Sequence, residues 1–344
     1  MKLRKALLEQ AEACEGLGSP FMGRLLRLLP GIITRDTALG CRLLDWPGEI
    51  GPSAASVPLR LCGALHGLVL SGKAPELARV YPPHAVSDQR LGEAVSAALV
   101  DHAGHIDDWL NEAPQTNEVR RSAALIAAGH WLSGHFGLPI RLSELGASGG
   151  LNLMWDRFQL EAGRARLGPN NADLTLRPDW TGPLPAPARP RVVERKGVDL
   201  NPVDATTPEG HLRLLAYLWP DQPERIARTE AAISVFDGQL AKGDAAAWLD
   251  ERLARPQPGT LHLVYHTIAF QYFPRASQAQ IQAAMEAAGA KATRDTPLAW
   301  LSMEADDQHP GAALTLRLWP EGQTLTLGRV DFHGRWLQWE GETS

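Results

Sequence analysis

The stretch Ile140-Arg-Leu-Ser-Glu-Leu-Gly-Ala-Ser-Gly-Gly-Leu-Asn-Leu153 decides how the chain is read. Ile140 to Leu145 has the apolar content of a short strand. Small residues follow at once. Gly146, Ser148, Gly149 and Gly150 let the backbone turn sharply and approach a ligand closely, because larger side chains would block both. An apolar stretch from Leu151 to Trp155 restarts the chain beyond them. A helix opening at Gly150 is expected to point its free N–H groups at whatever fills the loop. Strand, small-residue loop and helix start together form the ligand crevice of an open α/β sheet.

Two chemistries fit this loop. The spacing of Glu144, Gly146, Ser148 and Gly150 resembles the first motif of class I methyltransferases. That resemblance implies S-adenosylmethionine, with Ala147 between the loop's turning residues. Gly146-Ala-Ser-Gly-Gly150 is also a literal G-x-S-x-G, the nucleophile elbow of α/β-hydrolases. An ordinary strand-to-helix turn uses the same residues, so the choice rests on the rest of the chain.

The chain has 344 residues, which favours two domains over one compact core. Hydrophobic residues make up 44% and charged residues 21%, a globular balance. The 34 basic and 39 acidic residues give a formal charge of -5, which offers no electrostatic footprint for nucleic acid. No apolar run is long enough to span a membrane. The start, Met1-Lys-Leu-Arg-Lys-Ala-Leu-Leu-Glu-Gln10, reads as an amphipathic helix rather than a signal peptide. Cys14, Cys41 and Cys62 are widely spaced and form no C-x-x-C, so neither a disulfide framework nor a zinc cluster is indicated. A reduced, cytoplasmic protein is the expectation.

Residues 1–137 are predicted to be an all-helical domain. Apolar residues recur at helical spacing, as in Leu25, Leu26, Leu28 and Leu29 and again in Leu61, Leu65, Leu68 and Val69. Glu118 to Phe136 is a further predicted helix, stopped by Gly137 and Pro139. From residue 138 to 344 short apolar runs alternate with helical stretches, which predicts βαβ units and a mostly parallel sheet. Predicted strands cover 140–145, 192–200, 233–236, 261–268, 298–303, 313–319 and 325–332. Predicted helices cover 209–218, 223–231, 245–254 and 277–288. The last two strands fit an antiparallel pair turned at Glu321-Gly322. Residues 157–191, with Gly163, Gly168-Pro169-Asn170 and the later prolines Pro178, Pro183, Pro185, Pro187 and Pro190, read as an inserted hairpin and arm.

Three further stretches belong to the proposed crevice. Gly197-Val-Asp-Leu-Asn-Pro202 resembles the end of the second strand in class I methyltransferases, where an acidic residue binds the ribose hydroxyls. Asp199, followed by Leu200, is the candidate, since a carboxylate is an acceptor with two oxygens. Its distance from the loop far exceeds the roughly 20 residues usual in such folds, and the Pro-rich insert accounts for most of the excess. Asp244-Ala245 resembles the loop after the third strand, where an Asp meets the adenine; Asp is also an ordinary N-cap. Leu261 to Ile268 then brings Tyr265 and His266 to the crevice, with Gln271 and Tyr272 beyond. His266 and Tyr272 are the catalytic candidates, His266 as a base near neutral pH. Asn152, Trp155, Arg195 and Trp219 are the candidate substrate contacts.

Taken together, these segments resemble the uncharacterised bacterial family called domain of unknown function 2332. The motifs that carry the resemblance are Glu144 to Leu153, Arg195 to Asp204, and Arg213-Leu-Leu-Ala-Tyr-Leu-Trp-Pro-Asp-Gln-Pro-Glu-Arg225, with Gly63-Ala-Leu-His-Gly-Leu-Val-Leu70 in the helical front. The resemblance covers nearly the whole chain. It implies a Rossmann-like, class I methyltransferase-type sheet, mostly parallel with an antiparallel edge, behind a helical region. It implies no particular activity. Ser148 stands where methyltransferases usually carry the middle loop glycine.

His102 and His105, with Asp107 and Asp108, are one set of metal-ligand candidates, since a spacing of three puts two His on one helix face, and His130 with His135 is another; a solvated polar face explains them, and no metal is expected. The leading expectation is an S-adenosylmethionine-dependent methyltransferase acting on a small-molecule or other unknown acceptor. The alternatives are a non-catalytic binding or regulatory protein on the same fold, and a serine hydrolase built on Ser148 with Asp306 or Asp307 and His309 or His333. The hydrolase fits worst. A carboxylate at Glu144 would oppose a developing oxyanion, and the hydrolase leaves Gly197 to Pro202 without a role.

Overall fold

The computed structural model describes residues 2–51 and 54–341. The chain folds as two compact units, residues 1–116 with 205–227, and residues 117–204 with 228–344. The helix Ser122–Phe136, grouped by sequence with the helical front, therefore belongs to the second unit. The segment 205–227, read as part of the sheet domain, belongs to the first.

The first unit is helical. Lys2–Gly16, Pro20–Ile32, Ala38–Leu44, Val57–Leu70 and Asp88–Asp101 are its longer helices before residue 116. Their apolar stripes meet in one core, in which Leu7, Leu25, Leu26, Leu61, Leu65 and Val95 are fully buried. Each fully buried aliphatic side chain of this kind contributes about 1.5–3 kcal/mol. The returning segment adds the helix Pro208–Ala216 and the run Trp219-Pro-Asp-Gln222. Trp219 is buried in the helical core beneath the Arg225 guanidinium. Asp221 accepts hydrogen bonds from the Ser19 hydroxyl and from the Phe21 N–H, so it extends the cap of the helix Pro20–Ile32. Gly63 leaves room for the Tyr217 ring, which a Cβ would meet at 2.5 Å. The Trp-Pro-Asp-Gln signature is thus a docking element of the helical unit.

Among its described residues the second unit has twelve strands. They are β1 (Ile140–Leu145), β2 (Gln159–Ala162), β3 (Ala165–Leu167), β4 (Thr175–Leu176), β5 (Asp179–Thr181), β6 (Val192–Asp199), β7 (Gln239–Lys242), β8 (Leu261–Thr267), β9 (Leu298–Glu304), β10 (Ala312–Trp319), β11 (Gln323–Val330) and β12 (Trp336–Trp339). Nine of them form one sheet in the order β5-β12-β11-β10-β9-β8-β1-β6-β7. The five strands from β7 to β9 are parallel, and β9 to β12 run antiparallel in sequence. The mixed α/β class with a mostly parallel sheet follows the alternation seen in the sequence. β1 is buried along its whole length, as expected for a strand covered on both faces. The helices Ala245–Leu253 and Arg275–Gly289 cover one face, placing Leu249, Ile281 and Met285 against Val264 and Leu298.

Two readings of the sequence are corrected. The weak strand at 233–236 is the end of the helix Pro223–Ser234 and the turn after it; β7 lies a few residues on. The apolar residues there continue a helical stripe in which Ala232 is buried. The predicted helix at 118–136 opens as a single 3-10 turn, Val119–Arg121, before Ser122–Phe136. The Pro-rich insert carries the hairpin read from the sequence, β2 paired antiparallel with β3. β2, β3 and β4 form a small separate sheet, and β5 extends the main sheet beside β12.

Candidate functional site

Strand order reverses around β1, whose neighbours are β6 on one side and β8 on the other. Ligands of open α/β sheets bind at such a switch point, beyond the carboxyl ends of the strands. Residues 144–150, 198–203 and 265–270 all end up there.

The small-residue loop is tied to the end of β6. The N–H groups of Gly146 and Ala147 both donate to the Val198 carbonyl, at 2.9 and 3.0 Å. Asp199 then organises the next turn. Its Oδ2 accepts from the Ser148 N–H at 2.9 Å and its Oδ1 from the Asn201 N–H at 2.9 Å. Gly146, Ser148 and Gly150 all have positive φ, +70°, +52° and +68°. For Ser148 this left-handed backbone is strained, and such strain clusters at functional sites. Its Oγ is buried without a hydrogen-bond partner.

The helix expected to open at Gly150 is a short 3-10 segment, Leu151–Arg157. The Leu151 N–H donates to Asn117 Oδ1 at 2.8 Å, and the Gly150 N–H to the Ala147 carbonyl at 2.7 Å. These donors are committed inside the protein, so no helix N-terminus faces the loop. Both glycines also serve packing. A Cβ on Gly146 would lie 2.6 Å from the Ala269 Cβ, and one on Gly150 would lie 2.8 Å from Leu240.

Beneath the loop, Glu144 is buried, 2% exposed. Tyr265, paired with it across β1 and β8, directs its hydroxyl to Glu144 Oε2 at 3.4 Å and to the Asn152 carbonyl at 3.3 Å. Burial pushes the Glu144 carboxyl up to about 8; the Tyr265 hydrogen bond opposes the shift and the Asp199 charge adds to it. Glu144 is therefore protonated at neutral pH. Burial likewise holds the Tyr265 phenol well above its ordinary value.

On the other side, His266 is 1% exposed at the end of β8. Its Nδ1 lies 2.7 Å from Glu304 Oε1 at the end of β9. Glu304 Oε1 also accepts the N–H groups of Ala269 and Phe270 at 3.0 Å each. Burial would raise the Glu304 carboxyl, but the His266 hydrogen bond and these donors hold it below the ordinary range. An ionised Glu304 is an acceptor only, so it holds His266 Nδ1 in its N–H form. Nε2 has no partner, and the Phe270 ring stacks on the imidazole at 4.7 Å.

The remaining candidates are more dispersed. Asp244 is the N-cap of Ala245–Leu253: its Oδ1 accepts from Ala246 and Ala247, and its Oδ2 takes the Ser277 hydroxyl at 3.1 Å. Ala245 begins that helix. Leu200 and Tyr272 are exposed at 67% and 65%. Asn152 is buried, with Oδ1 taking the Ser122 hydroxyl at 2.7 Å. Trp155 is fully buried against Gly129, where a Cβ would meet the indole at 2.1 Å, so it has no open face for stacking. Trp219 belongs to the helical core. Arg195 holds both oxygens of Asp156, at 2.8 and 2.7 Å, and so is committed as well.

The family model described as "Uncharacterized protein conserved in bacteria (DUF2332)" matches residues 4–339. The chain belongs to the DUF2332 family. No curated protein and no solved structure matches it.

For this DUF2332 chain, sequence reading missed two groups. Arg121 donates to the Phe332 carbonyl and, at the end of β8, to the Thr267 carbonyl, both at 2.9 Å, and its charge reaches Glu144. Glu304 was legible only as a carboxylate closing an apolar strand. Two observations bear on the hydrolase alternative. No histidine bonds the Ser148 hydroxyl, and both Asp306 oxygens are held by Arg329 at 2.8 and 3.0 Å. Among the described residues, no cluster of three or more His, Cys, Asp or Glu is arranged to hold a metal, and no helix is long and apolar enough to cross a membrane.

Proposed function

We propose that the second unit binds S-adenosylmethionine at the switch point and presents its methyl group to an acceptor. The observation that carries this reading is the Asp199–Ser148 bond. It joins the acidic end of β6 to the positive-φ loop at the point where strand order reverses. Of the residues present, Asp199 fits the ribose, because its second lone pairs stay available beside two backbone donors. The unpartnered Ser148 hydroxyl and the buried Glu144 fit the polar amino-acid end of the cofactor. The bound cofactor would supply an activated methyl group. His266, oriented by Glu304, would take a proton from the acceptor through Nε2. Asp244 fits less well, since hydrogen bonds already reach both its oxygens.

Calorimetric titration of S-adenosylmethionine against the intact chain and an Asp199→Asn variant tests this proposal. Saturable heat from the intact protein and at least tenfold weaker binding by the variant are expected. No heat at millimolar cofactor, or equal binding by both, would sink it.

One observation favours a second reading, a binding protein without turnover. His266 Nε2 is enclosed by protein, with Phe270 stacked on the ring and Trp300 at its edge. His266 is only 1% exposed, so little of the base is open to an acceptor. Transfer of a labelled methyl group to any lysate fraction, abolished by His266→Ala, would eliminate this reading.

A further inference from the structure

The amino ends of the same strands hold a second constellation. Arg141, Ser143 and His262 lie on β1 and β8, Glu194 on β6, and Arg252 on the covering helix. Ser143 is fully buried. Its Oγ accepts the Arg252 Nε–H at 3.1 Å and lies 2.7 Å from His262 Nε2. Arg252 can only donate. The serine proton must then point to His262 Nε2, or it would be buried unpaired. His262 is therefore an Nδ1–H tautomer. It is held neutral because burial, with Arg141 and Arg252 nearby, drops its ionisation to about 3.

Among the described residues, none accepts that Nδ1–H. His262 is only 8% exposed, and what is exposed lines a cavity of about 480 Å³. Leu253, Ala284, Ala288 and Leu298 form apolar walls between the two covering helices, and Lys291 stands at the rim. Among the described residues, none forms an ion pair with Lys291. Asp250, also in the lining, bonds the Gln280 amide at 2.8 Å. Volume, apolar walls and a few fixed polar groups are the marks of a small-molecule pocket.

We propose that this cavity is a ligand site for a compact apolar carboxylate, an aryl or branched aliphatic acid. His262 Nδ1–H donates to a carboxylate oxygen, Lys291 supplies the counter-charge, and the alanine-rich walls take the hydrocarbon body. The Glu194–Arg252–Ser143 chain fixes the tautomer that makes His262 a donor. The site is independent of the switch-point crevice, which lies at the opposite ends of β1 and β8.

The test uses 2-naphthoate as the probe, with the full chain followed by calorimetry and ligand-observed NMR. Saturable binding below millimolar is expected, unaffected by saturating S-adenosylmethionine. Ala284→Phe, which fills the cavity, is expected to weaken it at least tenfold. Lys291→Glu, an exposed change that spares the fold, is expected to weaken 2-naphthoate at least fivefold and the neutral 2-naphthamide less than twofold. No binding by the intact chain at millimolar probe would overturn the site. Equal loss for acid and amide in Lys291→Glu would overturn the carboxylate assignment. Displacement by S-adenosylmethionine would move the probe to the crevice and overturn the site as well.

Discussion

The two ends of the parallel strands treat buried charge in opposite ways. At the amino ends, Glu194 meets three cations: Arg141, Arg252 at 2.8 Å and Lys196 at 2.8 Å. Burial would raise its carboxyl, but these hydrogen bonds hold it far below the ordinary range. At the carboxyl ends, Glu144 has no cation in contact and stays protonated, with Asp199 raising its ionisation further. Compensated charge of the first kind fixes the covering helix to the sheet. The neutral, unpaired carboxyl of the second kind stabilises nothing through charge, and a buried acid perturbed in this way marks a candidate site.

Removing Glu194 should produce the largest loss of stability. Glu194→Ala leaves Arg141 and Arg252, 6% and 8% exposed in their side chains, without their carboxylate. A loss of about 3 kcal/mol is expected in denaturant unfolding at pH 7. The sign with pH follows from the lowered ionisation. The contribution is fully present above the ordinary carboxylate range and disappears on acidification towards the folded value. Wild type and variant should therefore converge at low pH. Equal midpoints at pH 7 would show that the network is only decorative.

Glu144→Gln should shift stability in the opposite direction. Because the folded carboxyl ionises at about 8 rather than 4.5, its favourable contribution is fully present below pH 4.5 and is lost as pH rises through 8. The variant should lie within about 1 kcal/mol of wild type at pH 5 and gain on it by up to about 1.4 kcal/mol per pH unit until pH 8. Melting temperatures across that range measure this. A gap that does not grow with pH would place the Glu144 ionisation elsewhere.

Asp244→Ala sharpens the boundary between cap and ligand group. Loss of the N-cap should cost about 1 kcal/mol, with S-adenosylmethionine affinity unchanged within twofold. A tenfold loss of affinity would return Asp244 to the cofactor. The smallest expected effect is none: a fluorophosphonate probe should leave the native protein unlabelled. Stoichiometric labelling abolished by Ser148→Ala would revive the serine nucleophile.

Much of the crevice was legible in sequence because its parts are local. Ile140 to Leu145 is apolar enough to be a fully buried strand. Gly146 to Gly150 needs small residues for its positive φ angles and close packing, and Asp199 ends a strand at a proline-punctuated turn. Glu304 and Arg121 were not legible. A carboxylate closing one strand and an arginine before a helix acquire meaning only when topology sets them beside His266 and Glu144.

The sequence by itself determined the alternation of strands and helices, the parallel core and the tight loop at its centre. Side-chain periodicity and backbone permissiveness are properties of a few consecutive residues. Tertiary structure alone decided that residues 205–227 complete the helical unit, because Trp219 and Asp221 find their partners among helices near the start of the chain. It also turned Trp155 from a stacking platform into core and gave the Leu151 N–H to Asn117. It chose the His262 tautomer through Ser143 and Arg252. Each of these depends on which distant group fills the space around a side chain, and local spacing does not encode that.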